Sequence, residues 1–244
     1  MAALGVAWNN INMEIKKFIE LADLFAAAAQ DFLIKARQSL AEKDYFDVAL
    51  LGGSSALGLF KAINQLTIPN KHKIRFFFSD ERAVAITDDK SNAKTALSNL
   101  NFDKNQFFCM YDENLGLELS VKAYEDLLKN NLLKDKSGVP IFDLIYLGIG
   151  TDGHTASLFP NSDLLDNKTD LVASFAHKDI LCERITLCPR IIYAAKSIAF
   201  IAYGEDKKNI LNNIINNYSE SFNYPAKRII DSALSEIKIF TLNI

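Results

Sequence analysis

The chain has 244 residues, of which 49% are hydrophobic, and its formal net charge is −3 at pH 7. This length can bury a sizeable core, and the mild acidity argues against nucleic acid or an anionic membrane as a partner, because both require a basic surface. No apolar run approaches the ~20 residues of a membrane span, and the first residues lack the pattern of a secretory signal. We therefore expect a cytoplasmic protein that does not contact a membrane.

The cysteines give no sign of a disulfide framework or a metal site. Cys109, Cys182 and Cys188 are odd in number and have no C-x-x-C spacing. We interpret them as reduced thiols, which agrees with a cytoplasmic location, and we predict no bound metal.

Predicted strands and helices alternate along the chain. Residues 1–13 show no clear pattern and are either a native extension or a remnant of cloning. Apolar residues recur at helical spacing over 14–43. Further helices are expected after residue 55, over 91–100, over 117–133 and after residue 204. Strands are expected at 47–51, 73–78, 107–111, 143–147, 171–176, 184–188, 197–202 and 237–242. This alternation predicts an α/β fold with a mostly parallel sheet and helices on both faces, and the lack of a linker or repeat favours one domain over 1–244.

A glycine–serine loop follows the first predicted core strand. Gly52, Gly53, Ser54 and Ser55 stand between that strand and a helix. A helix N-terminus offers unpaired N–H donors and a partial positive charge, and serine hydroxyls add donors, so this layout is typical of a phosphate-binding loop. The alternative is a tight turn in which Ser54 or Ser55 caps the helix, and the residues alone leave both interpretations open.

Charged residues follow the strand predicted at 73–78. Asp80 and Arg82 come soon after its aromatic run, where a solvated turn more often has Gly, Pro or Asn. One interpretation is a surface cluster of ion pairs, and the other places both side chains at the same sheet edge as the glycine–serine loop. Ser91 then opens the next helix as its expected N-cap.

The stretch 143–160, DLIYLGIGTDGHTASLFP, is where we expect the chemistry. A short apolar strand ends in a loop that contains Gly150, Asp152, Gly153 and His154. Sheets of this class bind ligands at the carboxyl ends of their strands, glycines let backbone N–H groups approach a ligand, and an imidazole transfers protons near neutral pH. A histidine that only satisfies backbone groups is the alternative.

A lysine near the start of a helix is a further feature. The strand expected at 197–202 is followed by a break at Gly204, and Lys207 falls in the first turn of the next helix. The positive end of the helix dipole disfavours a lysine there, and a bound anion would offset this effect. A solvent-facing lysine is the alternative.

Together these motifs resemble the 6-phosphogluconolactonase family. LLGGSS at 50–55, SDERAV at 79–84, SN at 91–92 and LGIGTDGHTASLFP at 147–160 occur in the order and at the approximate spacing of that family. RITL at 184–187 and the Gly204-x-x-Lys207 step match its later motifs. The resemblance implies a Rossmann-like α/β fold, which that family shares with glucosamine-6-phosphate deaminase and ribose-5-phosphate isomerase.

The resemblance also implies an activity. It is the hydrolysis of 6-phospho-D-glucono-1,5-lactone to 6-phospho-D-gluconate, the second step of the oxidative pentose phosphate pathway, without a metal or organic cofactor. His154 would then be the base that activates water, and Asp152 would orient it. N–H groups of the glycine loop or Arg82 would stabilise the oxyanion, and Asp80 is expected to contact sugar hydroxyls or the lactone end.

The phosphate of this small-molecule substrate would be bound by the residues 52–55 together with Arg184 and Lys207, because they fit the family pattern there. Gly150 and Gly153 are counted as substrate-binding through their backbone. We expect a monomer or a weak dimer.

Alternative functions are separated by particular residues. The deaminase branch carries DGHIAFNEP, whose glutamate falls five residues after the histidine, and Phe159 occupies that position here. A non-catalytic sugar-phosphate sensor would need the phosphate-binding loop but not the base. A dinucleotide-binding module is disfavoured because residues 148–153 lack the G-x-G-x-x-G register.

Overall fold

The computed structural model describes residues 13–176 and 182–243. Its strands are β1 (Met13–Phe18), β2 (Phe46–Leu50), β3 (Ile74–Phe78), β4 (Asp80–Arg82), β5 (Leu144–Gly148), β6 (Val172–Phe175), β7 (Arg184–Leu187), β8 (Ser197–Ile201) and β9 (Glu236–Leu242). Its helices are α1 (Leu21–Glu42), α2 (Ser54–Asn64), α3 (Asn92–Asn99), α4 (Leu117–Asn131), α5 (Pro189–Tyr193), α6 (Lys208–Ile215) and α7 (Pro225–Ser232). None of these helices is both long and apolar enough to cross a membrane.

Six strands form a fully parallel sheet in the order β1-β9-β8-β5-β2-β3. From β2 the chain moves outward to β3, then returns to the other side of β2 to form β5 and continues to β8 and β9. The order therefore reverses between β2 and β5. Loops diverge at such a switch point, and a crevice opens at the carboxyl ends of the two strands. The predicted mostly parallel sheet is confirmed.

Helices cover both faces of this sheet. Crossovers between parallel strands are right-handed, so connections that run in opposite directions along the sheet place their helices on opposite faces. The first set comprises α1 and α2, which contact each other, and the second comprises α5 and α7, which also contact each other. β2 is consequently buried on both sides, which explains why all five of its residues are buried without alternation.

The core beneath α1 is built from aromatic rings. Phe76 of β3 stacks on Phe107 with centroids 4.9 Å apart and meets Phe102 edge-on at 4.6 Å. Phe32 of α1 packs edge-on against Phe46 at 5.3 Å. Edge-to-face and offset-stacked pairs add to the stabilisation from burial, so these rings fix α1 over β2 and β3.

A buried ion cluster ties the amino ends of the strands together. The Asp143 carboxylate accepts a hydrogen bond from the backbone N–H of Asp47 at 2.8 Å and lies 2.7 Å from the Lys43 ammonium. Asp47 also pairs with Arg75 at 2.6 Å. Because the cluster lies at the start of β2 and β5, at the opposite edge from the loops described below, we interpret it as structural.

A second, antiparallel sheet of three strands has the order β4-β7-β6. The sequence predicted strands at 171–176 and 184–188 but did not separate them from the parallel sheet, and it predicted a loop at 79–82. The structure shows instead that β4 follows β3 after a single residue, Ser79, and pairs with β7. This small sheet brings residue 82 opposite residue 184.

Two sequence predictions are wrong at their boundaries. The helix expected over 14–43 is a strand, β1, followed by α1, because residues 13–18 pair in parallel with β9 at the edge of the sheet. Met13 therefore belongs to the fold, while residues 1–12 lie outside the described residues. The strand expected at 107–111 is a single parallel bridge from Phe107 to Phe76.

Two side chains accept hydrogen bonds from the backbone N–H groups at the start of α3. Ser91 is its N-cap, as predicted, and its hydroxyl accepts a hydrogen bond from the Lys94 N–H. Glu81 is buried beside it and accepts from the N–H groups of Asn92 and Ala93, both at 2.7 Å. Burial raises the pKa of Glu81, although these N–H donors act in the opposite direction.

We expect Glu81→Gln to lower the free energy of unfolding by about 1–3 kcal/mol, because an amide NH₂ would face a buried backbone N–H that then loses its acceptor. The measurement is urea denaturation at neutral pH, with Glu113→Gln as the control because Glu113 is exposed. A midpoint for Glu81→Gln equal to that of the control would contradict this assignment.

Candidate active site

A cleft of about 210 Å³ opens where β2 and β5 diverge, at the carboxyl ends of the parallel strands. Every residue predicted for the site lines it, except Asp152 and Gly153. The predicted residues that do are Gly52, Gly53, Ser54, Ser55, Asp80, Arg82, Gly150, His154, Arg184 and Lys207. Leu51, Ser79, Gly148, Ile149 and Ala156 line it too and were not predicted.

The glycine–serine loop (residues 51–55) presents the start of α2 to the cleft. Gly53 is the N-cap, with φ of 74°, and no side chain within residues 13–176 and 182–243 caps the helix. The interpretation of Ser54 or Ser55 as the cap is therefore wrong, and the first N–H groups of α2 have no intrahelical acceptor. Gly52 must lack a side chain, because a Cβ there would lie 2.2 Å from the Asn92 amide oxygen.

The histidine loop (residues 149–158) folds back on itself directly after β5. The N–H of Gly150 donates to the carbonyl of His154 at 2.8 Å, and that of Gly153 donates to the carbonyl of Gly150 at 3.0 Å. A Cβ on Gly150 would lie 2.1 Å from Nδ1 of His154, so only glycine lets the ring lie over the backbone there. The glycine spacing in this motif is thus a steric requirement of the imidazole.

Asp152 does not line the cleft but holds the imidazole that does. Its Oδ1 lies 2.5 Å from Nδ1 of His154 and accepts the backbone N–H of the same residue at 3.0 Å. Partial burial raises the pKa of Asp152, but the hydrogen bonds to His154 outweigh it and hold the pKa below its usual value. An ionised carboxylate at Nδ1 favours the tautomer with the proton on Nδ1, which leaves Nε2 as the basic nitrogen.

An aromatic stack supports the other side of the imidazole. The Phe159 ring lies 4.5 Å from the His154 ring, centroid to centroid, and stacks on Phe175 at 5.0 Å. The Arg184 guanidinium carbon lies 5.9 Å from the centroid of Phe159. In the sequence, Phe159 is informative only because it stands where the deaminase motif has a glutamate. Nothing in the strand expected at 171–176 indicates that Phe175 stacks on Phe159.

Asp80 is a buried carboxylate that joins the loops around the cleft. Its Oδ2 accepts a hydrogen bond from the Ser157 hydroxyl at 2.7 Å and lies 3.6 Å from Nη1 of Arg184. Its Oδ1 accepts from the Asn92 amide at 3.3 Å. Sequence reasoning assigned no role to Ser157 or Asn92, because their partner is distant in the chain.

A tight turn presents Ser157 to this carboxylate. Thr155 and Leu158 form an isolated antiparallel bridge, and Ala156 between them adopts a left-handed φ of 49°. The Ser157 N–H donates to the Thr186 hydroxyl on β7 at 3.1 Å. A non-glycine residue at positive φ is unfavourable, so the contacts of Ser157 hold this backbone in place.

Two arginines face each other across the small sheet. Arg82 and Arg184 are direct partners in the β4–β7 register. Like charges directly opposite in an antiparallel pair are destabilising. Arg82 donates from Nη1 to the Lys90 carbonyl at 2.7 Å, but the Nε of each arginine is buried and has no hydrogen-bond partner among the described residues. An anion in the cleft would relieve both effects.

Lys207 adds a third cation. It ends a short 3₁₀ turn after Gly204 and is the N-cap residue of α6, which is close to the position predicted. Its side chain is half-buried and forms no ion pair within the described part of the chain, whereas the neighbouring Lys208 pairs with Glu205 at 3.5 Å.

Comparison with known proteins identifies relatives along most of the chain. The family model described as glucosamine-6-phosphate isomerases/6-phosphogluconolactonase matches residues 20–237. The 6-phosphogluconolactonase of Chlamydia pneumoniae is 35% identical over 210 residues, which cover 83% of this chain and 78% of that protein. A probable 6-phosphogluconolactonase of Arabidopsis thaliana is 32% identical over 231 residues, covering 86% of this chain and 82% of its own length.

The fold also matches solved structures. The structure of 6-phosphogluconolactonase from Trypanosoma brucei superimposes with a TM-score of 0.84 at 24% identity and covers 96% of this chain and 97% of that one. At that identity the match supports the fold, and the two sequence comparisons carry the assignment to a family. The chain belongs to the glucosamine-6-phosphate isomerase/6-phosphogluconolactonase family.

Proposed function

We propose that this protein hydrolyses 6-phospho-D-glucono-1,5-lactone to 6-phospho-D-gluconate, with His154 as the base. The family and the names of the relatives support the activity. The observation that carries the mechanism is that one cleft holds a carboxylate-oriented imidazole together with Arg82 and Lys207, which form no ion pair with any of the described residues. In this proposal the reaction is the second step of the oxidative pentose phosphate pathway.

The reaction requires an activated water. Nε2 of His154 takes a proton from water as the water oxygen bonds to the lactone carbonyl carbon, and Asp152 stabilises the imidazolium that forms. The ring C–O bond then breaks, and the imidazolium returns the proton to the leaving alkoxide. The His154 side chain is 32% exposed, so water can reach it.

Arg82 is the better candidate for oxyanion stabilisation. The sequence alone offers two candidates for this donor, Arg82 and the N–H groups of the glycine loop. The N–H groups of Gly150 and Gly153 already donate to carbonyls within the loop. Arg82 lines the cleft, and its Nε has no hydrogen-bond partner among the described residues, so its guanidinium keeps donor capacity for developing negative charge.

The phosphate would lie between Arg184, Lys207 and the N-terminus of α2. Guanidinium and ammonium donors form charge-assisted hydrogen bonds to phosphate oxygens, and the first N–H groups of a helix add more. Asp80, by contrast, already engages Ser157, Asn92 and Arg184. Its contact with sugar hydroxyls stays a prediction, and the geometry favours a role in positioning the arginine.

The deaminase activity is less well supported. Phe159 occupies the position of the glutamate in the deaminase motif and lies against the imidazole, so no carboxylate relay is present there. A sugar-phosphate sensor would share the phosphate contacts but would not turn over the lactone. A cytoplasmic location and a monomeric or weakly dimeric state stay predictions.

We expect His154→Ala to lower kcat by about 10²–10⁴, the range of general-base catalysis, while urea stability stays near that of the wild type. The assay generates 6-phosphogluconolactone in situ and follows its loss above the spontaneous rate. His72→Ala is the matched control, because His72 is exposed and far from the motif in sequence. An unchanged rate in His154→Ala would exclude this residue as the base, and no acceleration by wild type would exclude the activity.

Lys207→Met should raise KM about tenfold or more with little change in kcat, because one charge-assisted contact to phosphate is lost while the side-chain volume is kept. Lys208→Met is the control, since its ammonium pairs with Glu205 instead. The measurement is steady-state hydrolysis over a range of lactone concentrations. A defect confined to kcat would contradict phosphate binding by Lys207.

The absence of a metal requirement is also a prediction. No group of three or more His, Cys, Asp or Glu side chains within residues 13–176 and 182–243 is arranged to hold a metal ion. We expect EDTA, followed by removal of the chelator, to leave the rate of lactone hydrolysis unchanged. Inhibition that is reversed by adding a divalent cation would show that a metal takes part.

A further inference from the structure

Tyr224, which lies outside all of the motifs, contacts the histidine loop. Gly153 has φ of 82°, and a Cβ built on it would lie 2.5 Å from Cγ of Tyr224. The tyrosine side chain therefore lies directly against the backbone of the residue that precedes His154. The N–H of Ala226 also donates to the Gly153 carbonyl at 3.0 Å, so the start of α7 holds the loop by two contacts.

The same tyrosine contacts α6, the helix that begins at Lys207. Its hydroxyl accepts a hydrogen bond from the Asn213 side-chain amide on α6 at 3.2 Å. Lys207 is the N-cap residue of α6. One side chain thus touches the loop that carries His154 and the helix that carries Lys207.

Tyr224 is itself firmly placed. Its N–H donates to the Ser221 carbonyl at 2.9 Å, and Pro225 follows it at the first turn of α7. From α7, the Arg228 guanidinium donates to the Asp166 carboxylate at 2.7 Å. Because its own backbone is fixed in this way, Tyr224 can hold the histidine loop and α6 at a set distance from each other.

We propose that Tyr224 is a positioning residue that sets the separation between His154 and Lys207. The inference rests on the proposed function, in which these residues act on opposite ends of the phosphorylated lactone. If the phosphate end is fixed relative to the base, the carbonyl is presented at attack distance, and small misplacements lower the rate strongly. The ring contact with Gly153 fixes the position of His154, and the hydrogen bond to Asn213 fixes the position of Lys207.

The test separates these two contacts. Tyr224→Phe keeps the ring and removes the hydroxyl, and Asn213→Leu removes its partner. Each should raise KM for 6-phosphogluconolactone about threefold to tenfold, as expected for one lost hydrogen bond, and the double variant should be no worse than either single one. The kcat/KM for unphosphorylated glucono-1,5-lactone should not change, because it makes no contact with Lys207.

Tyr224→Ala removes the ring as well and should lower kcat at least about tenfold for both lactones, because the histidine loop loses its support. Tyr218→Phe is the matched control, since Tyr218 is exposed and lies on the same segment. Urea midpoints of all variants are measured in parallel.

Two results would overturn the proposal. The first is wild-type kinetics in Tyr224→Phe. The second is an equal loss on both lactones in Tyr224→Phe and Asn213→Leu that follows the fall in their urea midpoints, which a purely structural role would produce. If the wild type itself fails to hydrolyse lactone, the proposed function fails separately, and inorganic phosphate becomes the probe. Tyr224→Phe must then reduce the rise in Tm that phosphate gives the wild type, and an equal rise overturns the coupling.

Discussion

The arrangement of the cleft depends on one buried carboxylate, that of Asp80. A buried charge is unfavourable unless hydrogen bonds and ion pairs satisfy it, so its partners are held in place by the stability of the fold. Those partners come from different elements: Ser157 from the histidine loop, Arg184 from β7 and Asn92 from the start of α3. Asn92 also occupies the space above Gly52, so the same carboxylate indirectly sets the glycine–serine loop.

The cationic groups around this carboxylate are placed where folding alone would not favour them. Arg82 and Arg184 are opposed across two strands, and Lys207 stands at the positive end of a helix. Each arrangement by itself opposes stability and would become favourable with an anion bound, as the proposed function requires. Local rules are commonly broken at functional sites, and the large aromatic core supplies the stability that permits it.

Local patterns in the sequence were sufficient for most of the sheet and for the motif loops, because apolar runs and glycines report on their immediate surroundings. Contacts between distant segments were not predictable. In the strand Met13–Phe18, Ile15 and Phe18 are spaced as in a helix. Only the pairing of this segment with Glu236–Leu242 makes it a strand. The small antiparallel sheet and the contact of Tyr224 with Gly153 likewise exist only in three dimensions.

If His154 is the base, as proposed, the environment of its imidazole accounts for hydrolysis in place of isomerisation within this family. Isomerisation needs a second proton carrier beside the histidine, and a carboxylate five residues later would supply it. Here Phe159 fills that position and lies against the ring, while Asp152 occupies Nδ1. Under the proposed mechanism, Nε2 would exchange protons with water and substrate, which suits the addition of water to a carbonyl. In this proposal the apolar side chain of Phe159 favours hydrolysis because it leaves the position of the deaminase glutamate without a carboxylate.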